Sequence, residues 1–166
     1  MRVIETKRLI LRPFTAEDAR DFQKLAMDWN AAPGPAFDKW NASKEGCEES
    51  VRELSTMDQY FAMSLRDSGK VVGLLAVNGI DEQGQADLGH VILSRYQDND
   101  HDQEALRAMV RYCFEALNVR SIVTHNAAEH AAQLAPLKSL GFAAEHSDEP
   151  GTLVLERASW TAREQH

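Results

Sequence analysis

The chain has 166 residues, a formal net charge of −8, 43% hydrophobic residues and 27% charged residues. That length carries one full hydrophobic core, so a single domain over residues 1–166 is expected; the acidic balance argues against nucleic-acid backbones and anionic membrane surfaces and leans toward cationic partners. The opening ten residues lack the apolar run of a secretion signal, no stretch reaches membrane-spanning length, and the two cysteines, Cys47 and Cys113, form no ligand or disulfide pattern, so a reducing, cytoplasmic setting is expected.

In chain order, Arg8-Leu9-Ile10-Leu11-Arg12 reads as a strand stopped by Pro13. Thr15 is a good N-cap with Asp18 three residues on, and the helix from Ala16 to about Met27 buries Ala19, Phe22, Leu25 and Ala26. Trp29 to Trp40 is predicted to be irregular, with Pro33, Gly34 and Pro35. Its aromatics suit either a ligand-facing wall or a loop over the core edge. Ser43 caps a second helix reaching about Met57, with a thin stripe of Cys47, Val51 and Leu54. Tyr60 to Leu65 is a strand, Arg66 to Lys70 a hairpin turn around Gly69, and Val71 to Val77 a continuous apolar strand, hence central and covered on both faces.

After the turn Asp81 to Gly84 the chain presents its organising stretch. Ala86 to Leu93 is a strand, the polar run Arg95 to Asp102 a loop, and Gln103 to Leu117 an amphipathic helix with Ala105, Leu106, Met109, Val110, Cys113, Phe114 and Leu117 on one face. Strand, loop and helix start form a natural anion site, because free backbone N–H groups and the positive dipole end point at the loop. Here the loop is acidic. Ser121 to Thr124 is a short strand. Ala127 to Leu140 is a helix that Pro136 should kink or break near Ala132 or Gln133, and Gly141 stops it. Phe142 to His146 and Thr152 to Arg157 read as a closing hairpin. The order β-α-α-β-β-β-α-β-α-β-β predicts an α+β fold with helices on the faces of a mixed sheet of about seven strands.

These residues carry a family resemblance. Glu5-Thr6-Lys7-Arg8-Leu9-Ile10-Leu11-Arg12-Pro13-Phe14 with Glu17-Asp18-Ala19, then Asp87-Leu88-Gly89-His90-Val91-Ile92, then Glu104-Ala105-Leu106 with Tyr112 to Leu117, and finally Leu137-Lys138-Ser139-Leu140-Gly141-Phe142 resemble, in order and spacing, the GCN5-related N-acetyltransferase (GNAT) superfamily in its ribosomal-protein-alanine-acetyltransferase branch. The resemblance implies that acetyl-CoA donates its acetyl group to a primary amine on a protein N-terminus, a polyamine or a small amine, with no nucleic-acid or membrane partner and a monomer or homodimer as the working unit. It implies that the fourth and fifth family strands splay and that the pantetheine arm bonds Val91, Ile92 and Leu93. Asn126 would be a further arm contact, with His130 and Gln133 as the alternative register. The pyrophosphate would dock on Asp98, Asn99, Asp100, His101 and Asp102, where the family has a Gly-x-Gly loop with its glycines at Asp98 and Asp100. The tyrosine general acid of many relatives would fall at Leu137, leaving that role empty.

Asp98, Asp100, Asp102 and Glu104 would place four carboxylates where a doubly charged pyrophosphate docks. One such repulsion at about 4 Å costs roughly 1 kcal/mol in water and about 4 at intermediate dielectric, against roughly 0.3–2 from the helix dipole. Arg95 and Arg107 flank the loop as counter-charges. Asp100 also reads as an N-cap, boxed with Gln103. An EF-hand is excluded, because its required Gly is Gln103 and its final Glu is Met109, and no metal is expected. Asp87 and His90 are the candidate bases, on opposite faces of their strand. The acidic loop favours a second reading: a catalytically silent module of the same fold that binds a cationic ligand or partner.

Overall fold

A computed structural model describes residues 2–32, 39–97, 100–126, 131–144 and 151–164, with 131–133 by backbone alone. Seven strands lie in one sheet in sequential order: β1 (Ile4–Glu5), β2 (Leu9–Arg12), β3 (Tyr60–Leu65), β4 (Val71–Ile80), β5 (Gln85–Ile92), β6 (Ser121–His125) and β7 (Thr152–Glu156). Neighbours are antiparallel except β5 and β6, which are parallel and joined through a helix, as a strand–helix–strand crossover requires. The helices are α1 (Ala19–Ala31), α2 (Lys44–Leu54), α3 (Asp100–Arg111), α4 (Ala131–Ser139) and α5 (Arg157–Glu164). Among the described residues no helix is long and apolar enough to cross a membrane.

Alternation along the strands builds two cores. Leu9, Leu11, Phe61, Leu75, Leu88 and Ile92 pack against Leu106, Met109, Phe114 and Leu137 on the face carrying α3 and α4. On the other face Phe14, Phe22, Cys47, Val51 and Ala62 pack under α1 and α2, with Phe22 stacked on Trp40 at 5.5 Å between ring centres. Leu137 is fully buried core, and Cys113 is a core thiol whose pKa burial pushes up to about 12.

Several boundaries differ from the sequence reading. α1 is preceded by a 3-10 turn over Ala16–Asp18 and runs on to Ala31, so the irregular segment starts later than Trp29; the predicted Pro33–Pro35 stretch lies outside the described residues. Asp18 acts as expected, accepting from Thr15 N–H at 2.8 Å and from both Arg12 terminal nitrogens at 2.9 Å. α2 stops at Leu54, and the Ser43 hydroxyl caps it at Gly46 N–H. α4 passes through Ala132 and Gln133 without a break and contains Pro136: the proline forfeits the one bond to Ala132, near the start of the described helix. Of the first arm of the closing hairpin, expected over Phe142 to His146, the described residues form one bridge, Ala143 with Val154, and 145–150 lie outside the described residues; Arg157 opens α5 instead of ending β7. That helix is held by Trp160 stacked on Phe114 at 5.0 Å and by Arg157, whose guanidinium donates to Phe114 O and Val119 O. Phe114 belongs to the π-helix over Tyr112–Ala116 that continues α3, and Val119 to the connection between it and β6.

Candidate active site

β5 is shared unequally by its neighbours. It pairs with β4 along nearly its whole length, from Ala86↔Ile80 to Ile92↔Gly73, around a bulge at Asn78. With β6 it makes three pairs only: Gln85↔Ser121, Ala86↔Ile122 and Asp87↔Val123. Beyond these, β6 follows β7 as far as His125↔Thr152, and Asn126 N–H continues onto Gly151 O at 3.1 Å. The two parallel strands therefore part after Asp87 and Val123, opening a gap in the sheet.

Backbone parity fixes what lines that gap. Leu93 N–H bonds Val72 O at 2.9 Å, and antiparallel bonds alternate, so Val91 also turns its polar groups to β4. His90 and Ile92 turn theirs the other way, toward the gap. Ile92 O accepts from Gln97 Nε2 at 2.7 Å. Of the three arm positions implied by the resemblance, Ile92 is the one whose backbone faces the opening, and His90 joins it.

The two candidate bases stand on opposite faces, as alternation requires. Asp87 is half-buried on the α1–α2 side, where β5 pairs with Gly79 just past the bulge. His90 is buried on the α3–α4 side between Leu88 and Ile92. Burial pushes the His90 ring down from 6.5 to about 4, offset in part by the side chain of Asn126. Extending the β5–β6 register by three residues puts His90 opposite Asn126, so the structure brings these two predicted residues together across the gap. Asn126 Nδ2 is committed to Gly151 O at 2.9 Å and Thr124 Oγ1 at 3.1 Å. His90 Nε2 is buried with no hydrogen-bond partner.

The acidic stretch is arranged differently from the expectation. α3 starts at Asp100, three residues before Gln103, so Asp100, His101 and Asp102 are helical and not loop. The expected capping box is replaced by a bond from Gln103 N–H to Asp102 Oδ1 at 2.7 Å. Acids in a first helical turn complement the dipole, which accounts for the early start. Asp102 is 3% exposed, Asp100 is exposed, and the His101 ring meets Tyr96 edge-on at 5.3 Å; Asp98 and Asn99 lie outside the described residues.

Glu104 is turned away to β2. It accepts from Thr6 Oγ1, from Arg8 N–H at 2.8 Å and from Arg8 Nε at 2.9 Å. Burial works to raise its pKa, but these donors outweigh burial and hold it below the ordinary carboxylate range. One of the four expected repulsive charges is thus already neutralised. Arg107, expected as a phosphate counter-charge, lies instead 3.3 Å from Glu164 of α5.

Sequence reasoning missed the Thr6–Arg8–Glu104 clamp, the Asn78 bulge, and Asp28, which accepts from Ser94 N–H at 3.0 Å and so ties the end of β5 to α1. Gly151 carried a legible signal, a Pro-Gly pair, but not its role. It has φ +90° and lies so close to Asn126 O that a Cβ would collide. A cavity of about 810 Å³, lined by Arg2, Phe61, Asn78, Ile80 and Tyr112, lies at the far end of β3 and β4 and includes none of the predicted site residues.

A mixed sheet whose parallel pair parts beside a helix start defines an α+β architecture with a strand edge open to an extended ligand. The chain belongs to the acetyltransferase (GNAT) domain family, whose model matches residues 8–143. It is 25% identical over 153 residues to the uncharacterized N-acetyltransferase p20 of Bacillus licheniformis, covering 86% of this chain and 83% of that protein. Its fold is similar to that of the ribosomal-protein-S5-alanine acetyltransferase of Vibrio fischeri (17% identity, 96% and 99% of the two chains, TM-score 0.75). It is also similar to that of Mycobacterium smegmatis RimJ in complex with CoA-disulfide (17% identity, 90% and 82% of the two chains, TM-score 0.72).

Proposed function

We propose that this protein transfers the acetyl group of acetyl-CoA to a primary amine carried by a protein N-terminus, a polyamine or a small amine. The observation that carries this reading is the parting of β5 from β6 after Asp87 and Val123, which leaves the His90 backbone and the Ile92 N–H facing a gap, Ile92 O being held by Gln97. The residues fit the pantetheine arm: an extended amide chain needs alternating donors and acceptors, and an open strand edge supplies them. The α3 N-terminus would hold the pyrophosphate through its free N–H groups and dipole. When bound, acetyl-CoA would supply an acetyl thioester; a cationic acceptor would lose one proton to a base and a second from nitrogen to sulfur, so that C–N bond formation is balanced by C–S cleavage and release of the CoA thiol. Asp87, half-buried on the α1–α2 face beside the start of the gap, is the group we assign to take the proton from the amine. The net charge of −8 favours a cationic acceptor. The same reading treats residues 1–166 as one cytoplasmic domain acting as a monomer or homodimer.

The test is thiol release from acetyl-CoA with an alanine-terminated peptide, spermidine and a simple alkylamine as acceptors. Asp87→Asn should lower kcat roughly 10²- to 10⁴-fold while acetyl-CoA affinity stays within about twofold. Absence of acetyl-CoA binding by calorimetry, or wild-type turnover in Asp87→Asn, overturns the assignment.

A further inference from the structure

We infer that the His90 side chain is a positioning residue for the donor, with its Nε2 hydrogen-bonding an amide or carbonyl of the pantetheine arm in the gap between β5 and β6, and with Asn126 holding the ring in place. The inference rests on the acetyl-CoA reading above and deepens it.

Three independent features meet at this point. The first is topological. The β5–β6 ladder ends at Asp87↔Val123, and its register continued by three residues sets His90 against Asn126, where the sheet has no pairing left to make. The second is an unsatisfied atom. His90 is 9% exposed and its Nε2 has no partner. A buried polar atom left alone forfeits its hydration without compensation, so native proteins seldom keep one without a use. The third is the support behind the ring. Both Asn126 amide protons are spent on Gly151 O and Thr124 Oγ1, so the Asn126 oxygen is the atom it has left for the imidazole. Gly151 can stand this close because it lacks a Cβ and has φ +90°. The chain β7–Asn126–His90 is thus fixed from behind, and Nε2 is the ring atom left without a partner.

The role differs from that of a general base. The ring lies in the apolar core of the α3–α4 face, while Asp87 stands on the opposite face. A ring that stays neutral at physiological pH can donate or accept one directional bond, depending on its tautomer, without bringing a charge into the core. An arm amide offers the matching group. The bond would fix how far the arm slides into the gap, and hence where the thioester stands relative to Asp87.

The experiment is calorimetric titration of wild type, His90→Leu and His90→Gln with acetyl-CoA, together with the ¹⁵N shift of His90 Nε2 in the wild type on adding CoA. The expected result is a roughly tenfold or greater loss of affinity in His90→Leu, equivalent to about 1.4 kcal/mol, partial recovery in His90→Gln, and a moved Nε2 resonance. KM for acetyl-CoA should rise more than kcat falls. Circular dichroism establishes that each variant is folded; if His90→Leu is not, the wild-type resonance decides. Wild-type affinity in a folded His90→Leu, or an Nε2 resonance unmoved at saturating CoA, overturns the inference and leaves the acetyltransferase reading standing. Failure of the wild type to bind acetyl-CoA overturns both.

Discussion

His90 should make the stability of this protein fall steeply on mild acidification, and His90→Leu should remove that fall. The folded ring has a pKa of about 4 against an ordinary 6.5. Between those values the unfolded chain binds a proton that the folded chain refuses, so unfolding free energy rises with pH across the window. The contribution is complete above 6.5 and lost as pH drops toward 4. A depression of this size corresponds to about 3 kcal/mol, taken as an order of magnitude, which is a large share of the roughly 5–15 kcal/mol that holds a domain folded. Urea unfolding at half-unit steps from pH 4.5 to 7.5 measures it. The difference between wild type and variant is the relevant quantity, because carboxylates titrate in both proteins. Leucine removes the unpartnered Nε2 but also leaves the Asn126 side chain without its imidazole partner, so an offset of up to about 1–3 kcal/mol at neutral pH is expected and the change in that offset with pH is the readout. Parallel pH profiles for the two proteins would falsify the premise that the ring is neutral and buried.

Three further outcomes follow from the geometry. Glu104→Ala, which strips acceptors from Thr6 and Arg8, should cost about 1–3 kcal/mol in urea unfolding, and because the folded carboxyl is held below its ordinary 4.5, Glu104→Gln should flatten the acid limb below that pH without touching the histidine window. Gly151→Ala forces a positive φ on alanine and a Cβ into Asn126 O; roughly 1–3 kcal/mol of stability should be lost, along with acetyl-CoA affinity, and unchanged affinity would show that Asn126 is not part of the donor site. Acetyl-CoA binding should tighten as ionic strength rises from about 0.01 to 0.15 M, where the screening length drops from about 30 to 8 Å, and Asp100→Asn should weaken that dependence; binding that loosens with salt in the wild type would mean the acids at the α3 start do not face the phosphates.

The local elements of this protein were legible in its residues because their signals are local. Alternation in Gln85–Ile92, the apolar stripe of α3, the Ser43 and Thr15–Asp18 caps and the glycine turns at Gly69 and Gly84 depend on neighbours a few positions away. The same periodicity separated Asp87 from His90 onto opposite faces before any packing was known. The family resemblance supplied the expectation that two strands splay. Only the tertiary structure could show where: three β5–β6 pairs and then none, because β6 stays with β7 through Asn126 and Gly151. The charge at the α3 start was likewise undecidable from sequence. Glu104 looks identical in a list of acids whether it faces a phosphate or Arg8, and its partners Thr6 and Arg8 lie 98 and 96 residues away. Composition and spacing set which groups this chain owns; contacts between residues remote in sequence set which of their charges and hydrogen bonds are already used and which, like His90 Nε2, are left over.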